Sequence, residues 1–184
     1  IHIFSFLYIH TRTFRAKGST CFWCFDILEP WKERGSRFNF WSLKLFFDLG
    51  NRLEMKYTKL FTQKWKIASK ADVARYLLHE FILELCTAIN LGNYSDRRKK
   101  LDELLSQHSW TKRETAYVLK QFNRIISWIK NIFPNDSIRH TRFRNKSDFY
   151  SLFIVLLKLI NKGYVTLDKK SNRTAGQFLL EFSK

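Results

Sequence analysis

Between Thr111 and Pro134 the apolar residues Val118, Phe122, Ile125, Ile126, Ile129, Ile132 and Phe133 recur at steps of three and four. That step is the period of one face of an α-helix. The ends of the helix are also legible. Thr111 and Glu114 have the spacing of a capping box, in which a hydroxyl and a carboxylate each take up a free backbone N–H. Pro134 cannot extend a helix. A helix that is apolar along one face must bury that face, so the rest of the chain has to supply packing partners.

Several stretches fit that role. Phe40, Leu43, Phe46 and Phe47 share a helical face, and Gly50-Asn51 reads as a stop before a weaker helix over Leu53–Trp65. Ser69 and Asp72 form a second capping box. It leads into Val73, Leu77, Phe81, Leu85 and Ala88, a stripe widened by Leu78, Ile82 and Ile89 and closed by Gly92. Ser95 opens a short helix with Leu101, Leu104 and Leu105 inward and Arg97, Arg98, Lys99 and Lys100 toward water. Ser147 is placed to cap, and Asp148 puts a negative charge where the helix dipole favours it. Phe149, Leu152, Phe153, Leu156, Leu157 and Ile160 follow at helical spacing up to Gly163. The tail reads as a strand or loop at Tyr164–Leu167 and a short helix near Arg173–Phe182. The expected fold is mainly α, an irregular multi-helix bundle of about five to seven helices. Residues 41–184 form the helical domain. Residues 1–40 form a poorly patterned, aromatic-rich segment, with the Phe, Ile and His density of a shifted AT-rich reading frame.

The formal net charge is +17, with basic residues in excess in both halves of the chain. Such a charge repels itself unless a polyanion or an acidic partner offsets it, and nucleic acid leads the candidates. Ile1–Ile9 is too short for a membrane span and lacks the basic start and cleavage site of a signal peptide. Three cysteines, Cys21, Cys24 and Cys86, are too few for a disulfide framework, which points to a reducing cytosol.

Catalytic constellations are scarce. Cys21 and Cys24 have the spacing of a zinc or redox pair, but no second pair completes a site. The histidines His2, His10, His79, His108 and His140 show no ligand spacing. Asp102-Glu103 is the one adjacent carboxylate pair near the basic run, and pairing with Arg98 and Lys99 one turn away accounts for it. No phosphate loop, nucleophile elbow or zinc-protease motif occurs. The expectation is therefore no catalytic residue, metal site or cofactor within this chain. Two basic clusters remain: Arg97, Arg98, Lys99 and Lys100, and the turn holding Arg139, Arg142, Arg144 and Lys146. Both suit backbone phosphates, with Trp110, Phe143 and Tyr150 available for stacking, although Phe and Trp recur at packing positions throughout and a core role is favoured for each ring.

The run Arg142-Phe143-Arg144-Asn145-Lys146-Ser147-Asp148-Phe149-Tyr150-Ser151-Leu152 resembles the C-terminal helical part of the GmrSD-type family. The likeness extends back through Asp96–Leu105 and Trp128–Phe133, and loosely to Ala71. That family joins a ParB/sulfiredoxin-like nucleotide-handling fold to a helical region in anti-phage restriction systems. Its Asp-Gly-Gln-Gln-Arg-like signature has no counterpart here. The resemblance implies a piece of a DNA-restricting protein, with nucleotide-dependent nuclease chemistry in a part not present and nucleic-acid contact in this one. The alternative is a helical interaction module whose basic face docks a protein or the missing N-terminal domain.

Overall fold

The structure, a computed structural model, describes residues 40–92 and 110–163, together with Thr174, residues 177–179 and Glu181. Among these residues every regular element is helical. Helix α1 spans Phe40–Lys59 and runs into a π-helical turn, Leu60–Lys64. Helix α2 is Lys70–Ala74, α3 is Leu77–Leu91, α4 is Lys112–Ile132 and α5 is Lys146–Asn161. Two 3-10 segments, Pro134–His140 and Arg142–Arg144, link α4 to α5. The expected mainly α fold is what forms.

Both expected capping boxes are present. The Ser69 hydroxyl accepts from the Asp72 N–H, and the Asp72 carboxylate accepts from the Ser69 N–H at 2.7 Å. Thr111 and Glu114 do the same at the head of α4. The apolar face of α4 is buried as its spacing predicts. Gly92 and Gly163 take left-handed backbone, φ 67° and 72°, after α3 and α5, the usual role of glycine at a helix end.

Three boundaries differ from the sequence expectation. Gly50 does not stop a helix; α1 runs through it without a break. Here glycine serves close approach. A Cβ on Gly50 would lie 2.6 Å from Leu83 Cδ2 and 2.9 Å from His79 Cε1, so α3 crosses α1 at this point. The helix expected from Ser69 to Gly92 is broken at Arg75–Tyr76, where Tyr76 takes φ 59°. The apolar stripe passes over that break because Val73 and Phe81 both reach the core. Last, α5 begins at Lys146 with Asn145 as its N-cap, so Ser147 does not cap it. The Ser147 carbonyl instead accepts from the Ser151 hydroxyl one turn on.

The core is aromatic at its centre. Phe61, Trp65, Phe81, Phe122, Phe149 and Phe153 are buried, and Phe149 meets Phe61, Trp65, Phe81 and Phe153 at centroid distances of 5.6–6.4 Å. Tilted and edge-on rings of this kind add to the burial of their area. Helices α1 and α4 run side by side in the same direction. The Trp110 N–H bonds the Ser42 hydroxyl near their starts, and Tyr57 Oη, in the last turn of α1, donates to Asn123 Oδ1 midway along α4 at 2.6 Å. Lys64 meets Asp136 at 3.6 Å beyond their ends. Phe46 stacks on Trp110 at 4.3 Å. Residues 1–39, the Ser95 helix and Tyr164–Leu167 lie outside the described residues. Thr174, residues 177–179 and Glu181 are helical, in line with the expected last helix.

Candidate nucleic-acid interface

The segment after α1 folds back sharply. The Ile67 and Ala68 N–H groups both bond the Phe61 carbonyl, which leaves Lys66 at the crest with φ 56°. Left-handed backbone is rare for a lysine and costs of order 1 kcal/mol. Opposite this crest stands the start of α5. The Thr141 hydroxyl accepts from the Phe143 N–H and so shapes the 3-10 turn that delivers Arg144 and Lys146. Between the two segments opens a cleft of about 810 Å³, lined by Thr62, Lys66, Ser69, Asp72, Arg144 and Lys146 among others. Lys66 and Arg144 are exposed and form no ion pair among the described residues.

The neighbouring acids are already engaged. Lys146 Nζ lies 3.3 Å from Asp72 Oδ1, across the cleft. The Asp72 carboxyl is held below its usual pKa, chiefly by the Ser69 N–H and further by the Lys146 charge. Arg142 turns aside to Asp148 at 3.1 Å, and that guanidinium, helped by the Asn145 amide, lowers the Asp148 pKa. Arg139 donates from Nε to His140 Nε2 at 2.8 Å. The first turn of α5 has no side-chain cap, Asn145, Lys146 and Ser147 at its start line the cleft, and Asp148 places a negative charge in the same turn.

Of the expected basic turn, Arg144 and Lys146 thus come together in the cleft, whereas Arg142 and Arg139 are directed elsewhere. Lys66 joins them from 78 positions before Arg144 in the chain, a partner that the linear sequence does not disclose. A lysine beside the buried pair Trp65 and Ile67, followed by the Ser69 cap, was the available signal. Arg97, Arg98, Lys99 and Lys100 lie outside the described residues. Of the two roles open to Trp110, Phe143 and Tyr150, the structure gives the core one: all three are buried, at 3%, 9% and 1% exposure. Cys86 is buried and free, and burial pushes its thiol well above the ordinary range. His79 bonds Glu54 at 3.0 Å and stacks on Phe47, a structural use. Cys21 and Cys24 lie outside the described residues, and no cluster of metal-ligating side chains occurs among the described ones. No described helix is long and apolar enough to cross a membrane.

The cleft therefore offers two cations without an ion pair among the described residues, a third held against one carboxylate, and an uncapped helix end. It can grip an oxyanion by charge and by N–H donation. In its described lining the Ser69 hydroxyl donates to Asp72 Oδ2 at 3.0 Å, and both groups belong to the capping box of α2. Compared with known proteins, the chain matches no family model, no curated protein and no solved structure.

Proposed function

We propose that this chain is a non-catalytic helical region that binds nucleic acid through its phosphates, in a protein of the GmrSD restriction type. The observation that carries the reading is the convergence of Lys66, Arg144 and Lys146 on one open cleft while Asp72, the acid lining it, is occupied by Ser69 and Lys146. The net charge of +17 supports a polyanionic partner. The likeness of Arg142–Leu152 to the GmrSD-type family supports DNA as that partner and phage defence as the setting.

Titration of the purified chain with DNA and with RNA tests the reading. Affinity falls steeply on a log–log plot against salt, because each neutralised phosphate releases counterions. Absence of binding at about 50 mM salt, or binding indifferent to salt, contradicts it. A second reading rests on the Arg142–Asp148 and Lys146–Asp72 pairs. There the basic turn is a strut within a protein-docking module. Replacing Arg142 and Lys146 by Ala then lowers the melting temperature and leaves nucleic-acid binding untouched.

A further inference from the structure

A second basic surface lies apart from the cleft, along the paired helices α1 and α4. On α4, Arg113, Tyr117, Lys120 and Arg124 follow at steps of four, three and four, all exposed and all opposite the buried Val118–Phe122–Ile125–Ile129 face. On α1, Arg52 and Lys56 are exposed one turn apart. Lys56 Nζ donates to Asn123 Oδ1 at 2.9 Å, so the stripe on α1 lies directly against the edge of α4. Among the described residues, Arg52, Arg113, Lys120 and Arg124 form no ion pair. Glu114, the one acid of α4, is used in the capping box. Asp48, one turn before Arg52, is the acid along this stripe and likewise forms no ion pair among the described residues.

We propose that this two-helix face is a second phosphate-contacting surface, and that its partner is the backbone of a double-stranded nucleic acid. The proposal rests on the nucleic-acid reading above and adds to it a surface, residues and a strand state. Charge complementarity selects the partner class. Geometry selects the duplex. A helix rises 1.5 Å per residue, so Arg113 to Arg124 spans about 16 Å of rigid rod, the length of about five phosphates along one strand. Proteins that hold single strands stack bases on exposed aromatic rings. Here the Phe and Trp rings of the described helices are largely committed to the core, and on this face Tyr117 is the exposed ring, at 45%. A row of fixed cations with one tyrosine suits a stiff ladder of phosphates better than a chain of splayed bases.

The experiment compares the full chain with two variants, Lys56→Ala/Lys120→Ala/Arg124→Ala and Arg113→Ala/Arg124→Ala. The second leaves the Lys56–Asn123 bond intact, in case the first folds poorly. The probes are a DNA duplex of about 20 base pairs and its separate single strand, over roughly 50–200 mM salt. On the duplex the slope of log affinity against log salt becomes shallower by about 0.9 for each phosphate that is no longer neutralised, so by close to two or more in either variant. An unchanged slope in both variants, while Lys66→Ala/Arg144→Ala weakens binding, overturns the second surface and leaves the cleft reading standing. Tighter binding of the single strand than of the duplex overturns the duplex assignment. Failure of the unmodified chain to bind either probe overturns both readings.

Discussion

Lys66 keeps a backbone conformation that glycine would adopt without strain, and the side chain it presents lines the cleft. Strain of this sort persists where the surrounding structure fixes it, and it clusters at functional sites. Lys66→Gly is expected to stabilise the fold by about 1 kcal/mol, raising the melting temperature by about 2–4 °C, while weakening nucleic-acid binding. A lysine kept for architecture alone would not separate stability from binding in that way. Gly50 shows the opposite constraint. Gly50→Ala gains helix propensity but drives a methyl into Leu83 and His79, and the clash wins, at a net cost of about 1–3 kcal/mol on thermal denaturation. Asp72 sets a pH dependence. Its pKa is lower in the folded chain than in the unfolded one, so its contribution is fully present above about pH 4–5 and fades as pH falls through the native value. Asp72→Asn should therefore lower stability near neutrality and flatten its decline on acidification, measured by denaturant melts across pH.

Helices were legible where a cap and a period agreed. Ser69–Asp72 and Thr111–Glu114 marked two starts, and Val118 to Phe133 marked one buried face, because these signals are local. The signals failed where a distant contact decided. Gly50 looks like a stop in the linear chain, and only the approach of α3 shows why a glycine sits inside α1. Ser147 looks like a cap, but the 3-10 turn at Arg142–Arg144 hands the chain to α5 two residues earlier, at Asn145. A paired substitution checks this. Thr111→Ala should cost about 1 kcal/mol by removing the cap, whereas Ser147→Ala should cost a few tenths at most. Equal costs would mean that Ser147 caps α5 after all. The cleft was half legible for the same reason: Arg144 and Lys146 stand together in sequence, and Lys66 reaches them only through the turn after α1.

At the scale of the molecule, a core of interlocked aromatic rings holds α1, α3, α4 and α5 together, and the cations of these helices are left on the outside. At the cleft Asp72 offsets Lys146, and Lys66 and Arg144 form no ion pair among the described residues, so a cationic excess remains there. Under the proposed reading the fold is a scaffold for phosphate contact, with the cleft as one of its binding points. The most direct test measures the affinity of a DNA duplex for the unmodified chain and for Lys66→Gly/Arg144→Ala as salt is raised, with the melting temperature of each recorded alongside. The cleft account predicts a salt slope shallower by about two in the variant and a melting temperature that does not fall. Equal slopes and equal affinities for the two proteins would contradict it.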